Sequence, residues 1–141
     1  MELSFDSGVK EYTIRGVNGV ATVYFNPADV NFAKKAYRVF NDLRKKQEER
    51  VAKLDTTEPG DELFDMVDSI DREMRDIIND LFGQDIADTL FGSVNAYSAA
   101  NGAPVWQNFM NAIIDQFDEA TKREQALADE KIRKYTQKYK K

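Results

Sequence analysis

The side chains best suited to chemistry in this sequence are carboxylates on a predicted helix. Asp61, Asp65 and Asp68 are spaced so that they share one helical face, and such oxygen ligands suit a hard cation. Calcium sites, however, wrap their ligands around the ion in a loop with a glycine at the turn, and no such run occurs here. Arg72, four residues after Asp68, instead predicts an ion pair on a solvated face. We therefore expect no metal ion and no other cofactor.

The composition removes most other catalytic chemistry. The 141 residues include no cysteine and no histidine, which excludes disulfides, thiolate metal sites and histidine-activated nucleophiles. None of the seven glycines lies in a phosphate-binding loop or a nucleophile elbow. A hydrolase built on two carboxylates would need them about 5–10 Å apart in a cleft, and no pair stands out. We expect a protein that is not an enzyme and takes no small-molecule substrate.

Charge is unevenly distributed along the chain. Residues 61–130 hold 16 acidic and 4 basic residues, whereas residues 131–141 hold six basic residues and no acidic one. The acidic middle would repel a phosphate backbone, and the basic end suits a helix C-terminus, so we expect no nucleic-acid partner. No apolar run approaches the roughly 20 residues that span a bilayer, and the first residues lack the features of a signal peptide. We expect a cytoplasmic protein without a membrane partner.

The elements that would position these side chains form an α+β fold that is mostly α, in a single domain over residues 1–141. Residues 1–25 read as a β-hairpin, since two alternating β-rich runs flank Asn18-Gly19, a strong turn signal. Leu3–Phe5 adds a further short strand in this prediction. A long helix over 26–54 follows, with Asn26 as its cap. Its polar part, residues 44–50, is expected to project into solvent before apolar contact resumes at Val51.

Three more helices are predicted, so that the hairpin precedes about four, of which the first, second and last are long. The second covers 61–82, ends at Gly83 and carries an apolar stripe at alternating steps of four and three: Leu63, Val67, Ile70, Met74, Ile77 and Leu81. A short helix, 85–91, begins at Asp85 as its cap, and 92–103 reads as irregular. The last helix, 104–141, is apolar on one face for three turns and then leaves the globule.

The order of these segments resembles that of the tail assembly chaperones of long-tailed (siphovirus-type) phages and prophages of Gram-positive bacteria. The similar segments are the hairpin with its Asn-Gly turn, then Phe25–Asp29, Ile77–Gly83, Leu90–Gly92 and Glu130–Thr136. The resemblance implies a chaperone that binds the tape-measure protein, the helical ruler of tail length, and keeps it soluble until tail-tube protein replaces the chaperone. It also implies the cytoplasm of the bacterial host. A structural phage protein, such as a head–tail connector or tail-completion protein, is the alternative.

The partner surface is expected on apolar residues of the last helix and of the corner between the two Leu-Phe-Gly sequences. The residues predicted to bind the partner are Phe91, Phe109, Ile113, Phe117 and Leu127. Trp106 and Phe82 are expected in the core instead. We also expect a homo-oligomer, formed by strand pairing, helix exchange or both, because a free hairpin edge and a half-apolar helix would otherwise face water.

Overall fold

The computed structural model describes residues 1–139 and confirms the predicted fold class. A two-stranded hairpin precedes four helices, of which the first, second and last are long. The elements in chain order are β1 (Lys10–Gly16), β2 (Gly19–Phe25), α1 (Val30–Thr56), α2 (Asp61–Phe82), α3 (Ala87–Phe91), β3 (Ala99–Ala100), β4 (Ala103–Pro104) and α4 (Val105–Tyr139). The last two residues of the predicted helix 104–141 lie outside the described part of the chain.

The hairpin forms around the predicted Asn-Gly turn. Strands β1 and β2 are antiparallel, Gly16 faces Gly19, and Val17 and Asn18 make the two-residue connection. Only Gly19 of the Asn-Gly pair adopts a positive φ, at 123°. Residues 1–9 contain no strand, so the strand predicted at Leu3–Phe5 is wrong. The apolar side chains of that segment stay exposed, and no burial offsets the entropy of ordering a third strand.

The hairpin turn lies directly against α3. The backbone N–H groups of Val17 and Asn18 donate to the carbonyl oxygens of Leu90 and Thr89, both at 3.0 Å. A Cβ atom at Gly16 would lie 2.5 Å from the Leu90 Cα, so only glycine permits this approach. The contact fixes the position of β1, which forms one side of the candidate site described below.

Helix α1 begins later than predicted because Asp29, not Asn26, caps it. The Asp29 carboxylate accepts from the Asn31 N–H at 2.9 Å. Asn26 instead closes the preceding turn. Its backbone carbonyl oxygen accepts a hydrogen bond from the Asp29 N–H at 3.1 Å, and its side-chain oxygen accepts one from the Ala28 N–H. Both residue types favour N-cap positions, and here the second of them starts the helix at Val30.

The polar part of α1 does not project into solvent, so that prediction is wrong. Lys46 Nζ lies 2.7 Å from a Glu73 carboxylate oxygen on α2. The Gln47 side-chain oxygen accepts from the indole N–H of buried Trp106 at 3.0 Å. Long polar side chains thus cover apolar surface while their heads find partners. Val51, where apolar contact was expected to resume, is exposed.

Helix α2 has the predicted bounds and ends at Gly83, which adopts the left-handed conformation. Its buried apolar residues are Ile70, Met74, Ile78 and Leu81. Asn79 near its end also replaces Asp85 as the cap of α3. The Asn79 side-chain oxygen accepts from the Ile86 and Ala87 N–H groups, both at 2.8 Å.

A buried guanidinium joins α2 to α3 and to the segment after it. Arg75 is 5% exposed, and its Nε and one terminal nitrogen donate to Asp71 and Asp88 at 2.9 and 3.0 Å. Its other terminal nitrogen donates to the carbonyl oxygens of Gly92 and Val94. The Arg75 contact holds the pKa of the Asp88 carboxyl below its ordinary value. Arg72, predicted to pair with Asp68, also pairs with Asp88 at 3.1 Å.

The segment 92–104 is more regular than predicted, because β3 and β4 pair as a small hairpin. Before it, Tyr97 is buried, and its hydroxyl has no hydrogen-bond partner among the described residues. The Arg50 guanidinium lies 4.6 Å from the centre of the Tyr97 ring. Burial raises the pKa of Tyr97 well above its ordinary value, and Arg50 opposes this rise only in part.

The buried Tyr97 hydroxyl predicts a specific loss of stability in alkali. Above about pH 10 Tyr97 ionises in the unfolded chain but stays neutral in the folded chain. The contribution of Tyr97 to the free energy of unfolding therefore falls as pH rises. At pH 11 the loss should be about 1.4 kcal/mol, measured by urea unfolding. Tyr97→Phe should remove this loss. Tyr24→Phe, at an exposed position of β2, should retain it; equal pH slopes for the two variants would contradict the prediction.

Helix α4 runs antiparallel to α1 across one continuous core. Phe32 contacts Phe117, with ring centres 5.8 Å apart, whereas Phe40, two turns later in α1, contacts Trp106 near the start of α4. Trp106 and Phe82 both pack with the core, as predicted. From residue 121 to residue 138 every side chain is exposed. We call residues 121–138 the overhang; at 1.5 Å per residue it is about 27 Å long.

Candidate partner-binding surfaces

The main surface candidate is an open groove between β1 and α4. It encloses about 310 Å³, and we call it the β1–α4 groove; it is lined by Tyr12, Thr13, Ile14, Arg15, Phe109, Ala112, Ile113 and Gln116. The alternation of β1 directs Tyr12 and Ile14 toward the helices, where both pack against the core. Steps of three and four place Phe109, Ala112 and Ile113 along one side of α4. The groove therefore has an apolar floor between a strand edge and a helix.

The strand edge beside the groove offers backbone groups as well as side chains. The sheet of β1 and β2 has two strands, so β1 pairs on one side only. Two charged side chains of α4, Arg123 and Glu119, lie close to the end of the groove. Burial is the main cause that raises the pKa of Tyr12 above its ordinary value. Arg123 lowers the pKa of Tyr12, whereas Glu119 raises it. The groove is thus apolar along its floor and charged at one end, which suits an amphipathic segment of another protein.

The structure separates the five predicted partner-binding residues. Phe91 is 1% exposed, and Ile113 and Phe117 are also buried, so all three belong to the core. Phe91 packs edge-to-face on Phe109, and the Phe117 ring contacts those of Phe25, Phe32 and Tyr37. The structure thus gives Phe91, Ile113 and Phe117 a role in core packing, and that they contact a partner stays a prediction. The spacing of apolar residues on a helix does not by itself distinguish residues that pack in the core from residues that bind a partner.

The remaining predicted residues lie at accessible positions. Phe109 is half-buried in the wall of the β1–α4 groove, which buried Ile113 also lines. Leu127 is 46% exposed on the overhang. Helical spacing places Leu127 on the face of α4 that carries Ile113 and Phe117, so the overhang continues that face beyond the core. The predicted residues that reach the surface thus follow α4 along its length.

Sequence reasoning missed the contribution of the hairpin to this surface. Tyr12 and Ile14 alternate with polar residues along β1, but nothing local in the sequence indicates that their face meets residues 109–113. The one indication in the sequence was general: a short hairpin with an apolar face is stable only when that face packs against another element. A second missed feature is Phe64 on α2, which is 64% exposed among acidic residues.

The described residues contain no arrangement of groups for metal chemistry. Among residues 1–139, no three carboxylates come together in a geometry that would hold a metal ion. Asp61, Asp65 and Asp68 are exposed along the first half of α2. No helix in the described part of the chain combines the length and apolar character needed to cross a membrane.

Comparison with known proteins assigns no family. No family model matches this sequence, and neither the curated proteins nor the solved structures include a significant match.

Proposed function

We propose that this protein is a phage or prophage tail assembly chaperone, which binds the tape-measure protein in the host cytoplasm and keeps it soluble. The resemblance in segment order suggests the partner. The observation that carries the proposal is the apolar β1–α4 groove, and Leu127 is an exposed apolar residue farther along α4. A long ruler helix has an apolar stripe that aggregates when uncovered, and such a groove covers a stripe of this kind.

Charge supports the same proposal. The chain has a net charge of −5, and its acidic residues concentrate in 61–130. A complex that carries many copies of an acidic protein along one ruler would repel other complexes and remain dispersed. Tail-tube protein, as the component that replaces the chaperone, is the second proposed partner.

Co-expression with the tape-measure protein tests the proposal directly. We expect the ruler to move from the insoluble to the soluble fraction and to retain many copies of this chain when it is purified. Mature tails should lack the protein. If the ruler stays insoluble, or if finished tails retain the protein in stoichiometric amounts, the chaperone proposal fails and a structural role in the virion replaces it.

Ala112→Arg tests whether the groove is the contact. Ala112 is exposed in the groove, so an arginine there obstructs the floor without removing core packing. We expect the dissociation constant for the ruler to rise at least about tenfold, which corresponds to about 1.4 kcal/mol of binding free energy, and the soluble fraction of the ruler to fall. Asn111→Arg, at the adjacent exposed position outside the groove lining, is the matched control and should preserve the rescue. Equal rescue by both variants would place the contact elsewhere.

A further inference from the structure

Two exposed surfaces of unlike charge lie at opposite ends of the molecule. Because α1 and α4 are antiparallel, the overhang extends beyond the end at which α1 begins. The other end is formed by the connection from α1 to α2, beyond the contact of Gln47 with Trp106 at the start of α4. We call residues 54–71 at this second end the α1–α2 tip. The core therefore separates the overhang from the tip.

The outer part of the overhang is basic and partly apolar. Residues 131–138 contain four cationic residues and no acidic one. Ile132 lies among them and is 64% exposed. Lys134 pairs with Glu130 at 3.1 Å, and exposed Lys131 and Arg133 add positive charge to the same segment. This surface requires a partner that is acidic and has exposed apolar groups of its own.

The α1–α2 tip has the complementary chemistry. Residues 54–71 contain seven acidic residues and no basic one, and of the seven Asp71 pairs with Arg75 at 2.9 Å. Asp61, Asp65 and Asp68 are exposed around Phe64, whose side chain is itself exposed. Arg72, the nearest cation after this segment, bonds Asp88 on α3 instead of Asp68. The tip therefore combines an excess of negative charge with an exposed aromatic ring.

We propose that the overhang of one copy docks on the α1–α2 tip of a second copy. The charges are complementary, and each surface supplies an apolar residue, Ile132 on one side and Phe64 on the other. Since one chain cannot bring its own two ends together across the core, the contact forms between copies. A head-to-tail contact of this kind repeats at every copy and generates a ring or an open helical array, not a closed pair. The contact does not depend on tape-measure binding, because it leaves the β1–α4 groove unoccupied.

Charge reversal at each end provides the test, with mass measured by sedimentation over a range of protein concentrations. The full chain should associate beyond a dimer and dissociate as salt is added. One variant combines Lys131→Glu, Arg133→Glu and Lys134→Glu; the other combines Asp61→Lys, Asp65→Lys and Asp68→Lys. Each places like charges at the contact, and we expect the association constant to fall on the order of a hundredfold.

An equimolar mixture of the two variants distinguishes this contact from other modes of association. In the mixture each altered overhang meets an altered tip of opposite charge, so association should return to the level of the parent chain. As a matched control, Lys34→Glu, Lys35→Glu and Arg38→Glu reverse three exposed cations of α1 and should leave association unchanged. Circular dichroism verifies that every variant is folded. A parent chain that is monomeric at every concentration, unaltered association of either reversed variant, or no recovery on mixing would each overturn the proposal.

Discussion

Phe91→Asp is expected to unfold the domain. The Phe91 ring is 1% exposed and packs edge-to-face on Phe109, with ring centres 6.2 Å apart. Truncating a buried phenylalanine costs about 3–5 kcal/mol, and an added carboxylate must also lose its hydration. The Arg75 guanidinium lies 5.7 Å from the Phe91 ring but is already occupied by four hydrogen bonds. We expect a loss of at least about 4 kcal/mol in urea unfolding, a large part of the stability of a typical domain.

Phe64→Asp is the matched control, since it makes the same chemical change on a helix at a 64% exposed position. Its effect on the free energy of unfolding should stay within about 0.5 kcal/mol, as is usual for surface substitutions. If Phe91→Asp left the domain as stable as Phe64→Asp does, Phe91 could not be a core residue. Phe91 would then have to be interpreted as a partner-binding residue.

Arg75→Met is expected to lower the free energy of unfolding by about 3–5 kcal/mol, the usual cost of removing one member of a buried ion pair. Methionine fills similar space but leaves the half-buried Asp71 carboxylate without its ion pair and the Gly92 and Val94 carbonyl oxygens without this donor. Arg75→Lys should recover little, because an ammonium cannot reproduce the planar fork that serves four acceptors at once.

Arg72→Met separates burial from charge in the same cluster. Arg72 and Arg75 both bond the same oxygen of Asp88, at 3.1 and 3.0 Å. The Arg72 side chain is 56% exposed, so its removal should cost less than about 1 kcal/mol. Equal losses for the two variants in urea unfolding would contradict the view that the buried bonds from Arg75 hold α3 in place.

The parts of the fold that could be predicted are those that local pattern determines. Helix α2 was placed at its true bounds because Pro59-Gly60 interrupts the chain before it and Gly83 ends it. The start of α1 was misplaced because Asn26 and Asp29 both suit an N-cap, and only the tertiary structure selects one of them. Residues 44–50 look solvated because they are polar, whereas Lys46 pairs with Glu73 on α2 and Gln47 accepts a hydrogen bond from Trp106 on α4.

The candidate surface was less predictable than the helices. The face of α4 was recognised from its period, yet period alone does not distinguish Phe117, which the core buries, from Leu127, which it leaves exposed. That distinction depends on where α1 and the hairpin end, and both are remote in sequence. The groove itself joins residues about one hundred positions apart, for which a single sequence carries no local signal.

The contact of Gly16 with α3 has a consequence for the order in which the chain folds during synthesis. The hairpin is complete at Phe25, but its turn rests on Thr89 and Leu90, and its apolar face is covered by α4. An isolated two-stranded hairpin is barely stable in water, so the strands made first must wait for segments made much later. The hairpin therefore becomes stable only after residues 105–117 of α4 have left the ribosome. A nascent chain stalled before residue 105 should stay sensitive to protease throughout the hairpin.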